Sequence, residues 1–476
     1  MSSTLLNANV PLMVGDETDV HIPNILMSST LPSMVNAKLS HQAINTMNGN
    51  SVQVTSNGTR LDFVIPTGLG SGVIKPKSAF ISCSIGFNSS SAGLIYWTNP
   101  ATGTSSLINR IEIRAGGKVI DTMLDADKTA NYLQTNFGNP QFNSTDQNTV
   151  FGGNCSECSP IMTSSIAGQS MASAFSSGLN SLNGIAKQTT PSLNVIVPIL
   201  SGLLNSQKAF PLYLLESSLT VSIYLNDITT AFTQLSILDA TNYTVTNATF
   251  NFSRVHIDDD IAQAVKASMR EQKAIYNLDF IGYQNYRASM AQGGGLTYVM
   301  TPHLKSLLGM VVLPFSTANE QSGLQYDMPM IPFNNASPQF NVQVFLDENR
   351  LVQYNVDSLE KVCLESRRLG KLAFNGNVVP SWLDASRALS GINGKIDSTL
   401  VNANSALSPS YVFGNFSFGF NSCMYFDADI GYAGRKTDIV RFQLDGSAYQ
   451  AFTMYFILIH SACLSIDGYG NCTVDA

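Results

Sequence analysis

Few residues in this 476-residue chain have the types and spacing that chemistry needs. Cys155-Ser156-Glu157-Cys158 is its one C-x-x-C. Zinc sites use that spacing in pairs, and redox enzymes use it once at the start of a helix in a βαβ setting. Here no second pair accompanies it, and the surrounding Pro140–Thr190 is a Ser/Gly/Ala/Asn-rich loop. His21, His41, His256, His303 and His460 stand apart from one another, and no H-E-x-x-H occurs. His256 and His460 fall in strand-like runs and read as structural histidines. Gly293-Gly294-Gly295 lacks the G-K-[ST] ending of a phosphate loop, so it reads as a turn. Asp258-Asp259-Asp260 has the composition of a cation site, but the acidic first turn of a helix explains it without metal. No catalytic residue, cofactor-binding residue or metal ligand is assigned, no cofactor is expected, and the chain reads as a non-enzyme.

The elements around these residues are better defined than the chemistry. Asp258–Lys273, DDDIAQAVKASMREQK, is expected to be a helix. Acids crowd its start and Lys266, Arg270 and Lys273 its end, matching the macrodipole, while Ile261, Ala264, Val265 and Met269 form one apolar stripe. Both flanks are β-rich, and the second appears as a repeat of the first. Leu61-Asp62-Phe63 is matched by Leu278-Asp279-Phe280, 217 positions on. Ile111–Arg114, the turn Ala115-Gly116-Gly117 and Lys118–Ile120 precede a helix at Asp125–Gln134; Val342–Phe345, the turn Asp347-Glu348-Asn349 and Leu351-Val352 precede one at Asp357–Leu369. Val221, Ile223 and Leu225 alternate as Val440, Phe442 and Leu444 do, and Val255–Asp258 is matched by Leu464–Asp467. Four matches in one order indicate a duplication, with a period too long for a solenoid.

Composition narrows the class. Hydrophobic residues are 44% and charged residues only 12%, about half the usual share for a soluble domain. So little charge suggests a surface largely covered by neighbours. Net charge is −7 with no Lys/Arg run, which leaves out an electrostatic footprint for nucleic acid, and no direct nucleic-acid binding is expected. Seven cysteines make no disulfide framework, and Cys83, Cys423 and Cys463 read as buried small hydrophobes, consistent with assembly inside a cell. The N-terminus lacks a signal-peptide pattern, and the longest apolar run, Ala451–Leu464, is too short to span a bilayer. Sequons at Asn57, Asn88, Asn242, Asn247, Asn251 and Asn415 read as products of an Asn/Ser/Thr-rich composition.

Read in order, residues 1–50 form an extended N-terminal arm with Pro11, Pro23 and Pro32. A first β-domain spans 51–257, with strands at Ser51–Thr55, Arg60–Pro66, Ser78–Phe87, Leu107–Arg114, Lys118–Met123, Ser192–Leu200, Leu219–Leu225 and Tyr243–Ile257. The linker helix spans 258–273. A second β-domain spans 274–476, with strands at Tyr276–Tyr283, Leu296–Met300, Ser306–Pro314, Gln339–Phe345, Arg350–Tyr354, Tyr411–Phe420, Asp438–Leu444 and Ala451–Ile466. Long polar inserts, Pro140–Thr190 and Pro380–Pro409, fall at the same topological point of each half. The expected fold is all-β, a sandwich or barrel in each half.

Two β-domains of this size joined by a helix resemble the double jelly-roll major capsid proteins of the adenovirus and tectivirus lineage. Leu107-Ile108-Asn109-Arg110-Ile111-Glu112-Ile113-Arg114-Ala115-Gly116-Gly117-Lys118-Val119-Ile120-Asp121 is similar to a strand–turn–strand signature in capsid proteins of polintons, polinton-like viruses and virophages. Pro211-Leu212-Tyr213-Leu214-Leu215 resembles the family's approach to the late strands of its first barrel. The resemblance implies two tandem eight-stranded jelly-roll barrels and a homotrimer of pseudo-hexameric outline. It also implies the shell of an icosahedral DNA virus, with neighbouring capsomers, penton and minor or cement proteins as partners, and minor proteins or an internal membrane under the arm. The paired inserts would be tower or inter-subunit loops. A tandem β-sandwich glycan-binding or attachment protein is the alternative, and a carbohydrate-active jelly-roll enzyme would need two carboxylates facing one cleft.

Overall fold

Alternating apolar and polar side chains build two sheets over one core in each half of the chain. The computed structural model describes residues 38–88, 95–98, 104–137, 184–186, 193–234, 242–317, 329, 331–333, 340–373, 416–423, 425–427, 431–448 and 450–475. The first half contains β1 (Lys38–Asn45), β2 (Ser51–Val54), β3 (Thr59–Ile65), β4 (Val73–Ile74), β5 (Phe80–Asn88), β6 (Ile95–Thr98), β7 (Ile108–Ala115), β8 (Lys118–Met123), β9 (Gly184–Ala186), β10 (Leu193–Pro198), β11 (Phe210–Pro211), β12 (Leu219–Leu225), β13 (Phe232–Gln234) and β14 (Asn242–His256). The second contains β15 (Ile275–Met290), β16 (Leu296–Met300), β17 (Leu304–Ser316), β18 (Phe340–Leu346), β19 (Asn349–Arg350), β20 (Phe418–Asn421), β21 (Tyr425–Asp427), β22 (Gly431–Ala433), β23 (Arg435–Thr437), β24 (Val440–Gly446), β25 (Phe452–Asp467) and β26 (Cys472–Asp475). Three helices matter below: α1 (Ala126–Phe137), α2 (Asp259–Gln272) and α3 (Leu359–Ala373).

The sheet orders repeat. In the first half one sheet runs β10-β5-β14, with β1 and β2 on the far side of β14, and faces a second sheet ordered β3-β12-β7-β8. In the second half the orders are β20-β17-β25-β15 and β16-β24-β18-β19. Counting eight main strands per half, with β1 and β2 together as the first, both halves place them as first-eighth-third-sixth opposite second-seventh-fourth-fifth. That is the jelly-roll order, reached by two Greek keys. The four-stranded sheets supply Leu61, Phe63, Ile111, Ile113, Val221 and Ile223 to one core, and Val342, Val344, Phe442 and Leu444 to the other.

This topology corrects one proposed equivalence. Leu61-Asp62-Phe63 lies in β3, whose counterpart is β16, whereas Leu278-Asp279-Phe280 lies in β15, whose counterpart is β1 with β2. The two Leu-Asp-Phe segments sit in different sheets, so that likeness is composition. The other three matches fall on equivalent strands: β7 with β18, β12 with β24, and the ends of β14 and β25. The expected arm also ends early. Lys38–Asn45 pairs with His256–Thr249 of β14 over its whole length, so this part of residues 1–50 belongs to the sheet. The expected strand Arg350–Tyr354 shrinks to Asn349–Arg350, after which Arg350 folds back on the Tyr354 carbonyl at 3.1 Å. Residues 1–37 and, apart from β9, the inserts Pro140–Thr190 and Pro380–Pro409 lie outside the described residues.

Local chemistry sets the connections. Gly116 and Gly117, at φ +56° and +84°, turn β7 into β8, which side chains with a Cβ rarely allow. Helix α2 begins where Asp258 accepts from the Asp260 N–H at 3.2 Å, and ends at Lys273 in the left-handed region with φ 54°. The Ala274 N–H then bonds back to the Met269 carbonyl at 2.8 Å, satisfying an orphan acceptor of the last turn. Ala262 and Met269, on its apolar face, pack into the first core.

Candidate functional site

The residues singled out for chemistry stay apart. Cys155 and Cys158 lie outside the described residues, as does His21. His41 meets the Ser253 hydroxyl at 3.1 Å, His256 the Gly70 carbonyl at 3.2 Å, and His303 the Asp438 carboxylate at 3.5 Å. His460 is buried in β25 over Gly282, and burial lowers its pKa below the ordinary value. Asp258 caps α2, and Gly293 turns the chain with φ +76°. No group of three or more His, Cys, Asp or Glu side chains is arranged to hold a metal among the described residues.

Cys83 is buried and its thiol is pushed up to about 12, while Cys423 and Cys463 are half-buried with thiols near 11. Thiols so raised carry little thiolate at neutral pH and make poor nucleophiles. No helix among the described residues is long and apolar enough to cross a membrane.

Two carboxylates do approach each other on a sheet face. Asp62 and Glu112 flank Ser222 in register across β12, about 10 Å apart at the backbone. Asp62 accepts from the Ser222 hydroxyl at 2.6 Å and from Arg60 Nε at 2.7 Å. Glu112 is fully buried between Arg110 and Arg114, and Arg110 in turn covers the Tyr224 ring at 5.0 Å. Each acid is engaged by arginine on the outer face of the sheet. This arrangement fastens neighbouring strands together and offers no free general base.

The largest feature outside the two cores is the junction between the halves. β17 and β25 are apolar on both faces: Met310, Val312, Phe456 and Leu458 enter the second core, while Val311, Leu313, Phe315, Tyr455, Ile457 and Ile459 form a third cluster on the other side. Tyr132 of α1 belongs to that cluster, with Leu133 packed against it. A side chain of this size gains about 1.5–3 kcal/mol on burial, so several together make a strong joint. Alternation is lost along Met454–Ile459 because both faces are covered.

Polar groups fix how α1 sits. Lys128 Nζ lies 4.0 Å from the Phe315 ring centroid and 5.4 Å from that of Tyr455, beside Asp127 at 3.6 Å. Asn285 of β15 donates to Thr129 Oγ1 at 2.8 Å and also to the Leu124 carbonyl. Nearby, buried Asp121 accepts from Ser201 Oγ at 2.6 Å and from the Leu203 N–H at 3.1 Å. It thereby holds Gly202 so close to β15 that a Cβ there would stand 2.0 Å from the Ile281 carbonyl oxygen.

A further clasp joins the linker to both ends. Glu216 binds Lys266 at 2.8 Å and Arg270 at 2.7 Å, which holds its carboxyl below the usual range, and Arg270 Nε donates to the Gly468 carbonyl at 2.7 Å. Gly470 passes so near that a Cβ would meet the Glu216 nitrogen at 2.6 Å. The halves therefore make one joined block. Sequence reasoning missed this joint, although the unbroken apolar runs at Leu307–Phe315 and Met454–Ile459 were its signal.

No protein-family model matches the sequence. No curated protein matches it. Solved structures do match in fold. The Faustovirus major capsid protein aligns with a TM-score of 0.55 at 10% identity, over 93% of this chain and 92% of that one. A chain of the Sputnik virophage structure aligns with a TM-score of 0.53 at 12% identity, over 98% and 94%. The mavirus major capsid protein aligns with a TM-score of 0.50 at 10% identity, over 100% and 95%. At such low identity the likeness is one of fold, and it spans both halves and their connection.

Proposed function

We propose that this chain is a major capsid protein, a structural and non-catalytic component of the shell of an icosahedral DNA virus. The observation that carries the reading is the repeated eight-strand order with an apolar, helix-filled joint between the halves. Such a joint makes one chain a rigid pair of near-equivalent blocks. Three chains then present six blocks, the number a hexagonal lattice needs around each centre. Low charge suits a surface covered by neighbours, and the solved proteins of the same fold are capsid proteins along nearly their whole length.

On this reading the protein resides in the virion shell after assembly inside the host cell. Its principal partner is itself, in a homotrimer and across capsomers. Penton and minor or cement proteins would contact its rim, and residues 1–37 would reach minor proteins or an internal membrane below. A glycan-binding module finds no supporting observation. Sugar platforms expose clustered aromatic rings, whereas the exposed large hydrophobics among the described residues are aliphatic apart from Tyr469.

Light scattering on the purified chain, with negative-stain imaging of the same peak, tests the proposal. The expected result is a stable species of three times 51.3 kDa with a hexagonal outline. A chain that stays monomeric at high concentration would overturn it.

A further inference from the structure

The two halves carry the same helix at the same topological point, after the fifth strand, but only one of these helices is covered. Every residue of α1 from Ala126 to Tyr132 is buried, charged ones included, and Lys128, Thr129 and Tyr132 meet strands of the second half. Helix α3 is buried on one side only. Leu369 and Ser366 sit against Gly309 and Gly419 of its own sheet, where an added Cβ would stand 2.3 Å from Leu369 Cδ1 and 2.9 Å from Ser366 Cα. Its other side exposes Glu360, Leu364, Arg367 and Arg368, spaced as one helical stripe, with Leu364 44% exposed at its centre.

The sheets show the reverse asymmetry. In the second half the outer face of β17 and β25 is apolar and closed by α1 and α3. The equivalent face of β5 and β14 in the first half carries buried Ser84 and half-buried Ser82, Thr246, Thr249 and Asn251, and a Cβ at Gly86 would meet nothing within 4 Å. Within the described residues the chain thus has one helix face without a sheet and one sheet face without a helix. They stand at matching places in the repeat.

We propose that the exposed stripe of α3 docks on the β5/β14 face of the first half of a second copy, repeating between chains the contact that α1 makes within one. The proposal deepens the capsid reading and rests on it. Such a contact is heterologous, and it passes from half to half until the ring closes. Leu364 would sit over the open ground at Gly86, with Arg367 and Glu360 facing an uncharged hydroxyl and amide surface. The difference in polarity has a physical reason. The intrachain joint forms once, during folding, and tolerates an apolar face. The interchain face carries hydroxyl and amide groups instead, because an apolar sheet of that size would aggregate in a free subunit.

Two measurements on the full chain test this. In the first, Leu364→Arg is compared with wild type by light scattering across a dilution series and by thermal unfolding. The expected variant keeps its melting temperature while the oligomer's dissociation constant rises about tenfold or more. In the second, Leu364→benzoylphenylalanine is irradiated in the assembled oligomer, and the adducts are mapped by mass spectrometry. Interchain adducts within residues 80–88 or 242–253 are expected. Adducts within the same chain, or elsewhere on the neighbour, from an intact trimer would overturn the docking proposal and leave the capsid reading standing. A chain monomeric at every concentration would remove both.

Discussion

Lys128 of the first half holds its ammonium 4.0 Å from the ring centroid of Phe315 in the second half, beside the apolar cluster that joins the two. A desolvated cation over an aromatic face gains about 2 kcal/mol, and of the two rings the second half supplies, Phe315 is nearer than Tyr455 at 5.4 Å. A double-mutant cycle with Lys128→Met and Phe315→Leu, read by denaturant unfolding, should return a coupling of about 1–2 kcal/mol. Strict additivity would show that the contact is incidental.

Gly202 offers a cleaner probe of how closely the halves meet. A methyl there would stand 2.0 Å from the Ile281 carbonyl oxygen, a backbone atom that moves only if β15 moves. Gly202→Ala should cost about 3 kcal/mol, at the upper end of what overpacking does. Gly86→Ala, whose methyl would meet nothing within 4 Å, should change stability by less than about 0.5 kcal/mol. Equal effects of the two substitutions in thermal unfolding would refute the packing argument.

Much of the β architecture was legible in the sequence because alternation reports a strand with one wet face. β12, β18 and β24 alternate in this way, and β16 and β12 were located to the residue. Helix α2 was legible through its acidic cap and basic end. Equivalence between the halves was legible only where whole patterns matched. Leu61-Asp62-Phe63 and Leu278-Asp279-Phe280 misled because three residues of one composition fit either sheet of a jelly roll. The joint was hidden for a different reason: a strand covered on both faces reads as a generic apolar run, and nothing local says which surface covers the second face. Nothing local marks Lys128 for the same reason, since its aromatic partners Phe315 and Tyr455 lie 187 and 327 positions away.

Lys273 ends α2 with φ 54°, a conformation in which a Cβ crowds the following carbonyl. Glycine removes that crowding but gives the unfolded chain more freedom. The first effect is the larger, so Lys273→Gly should stabilise the protein by about 0.5–1 kcal/mol, seen as a higher denaturation midpoint at unchanged slope. Lys273→Val should do the opposite, because a β-branched side chain worsens the same contact. If both variants lower the midpoint, the left-handed cap is not what limits this position.

Two buried titrating groups should give the joint opposite responses to pH. Burial pushes the Asp121 carboxyl above its ordinary 3.8, against the Ser201 and Leu203 hydrogen bonds that favour the anion. The folded chain then binds this proton more tightly than the unfolded one. Its contribution is complete below about pH 3.8 and is lost as pH rises through the folded value. Burial moves His460 the other way, below 6.5. Here the folded chain resists protonation, so the contribution is complete above pH 6.5 and is lost as pH falls through the folded value. Asp121→Asn should therefore gain stability relative to wild type as pH rises above about 4, and His460→Gln should gain it as pH falls below about 6. The two difference curves, from denaturant unfolding at each pH, should slope in opposite directions. A curve that is flat for either variant would mean that its group keeps the same proton affinity folded and unfolded, and that burial at that position is not what the geometry around Gly202 or Gly282 implies.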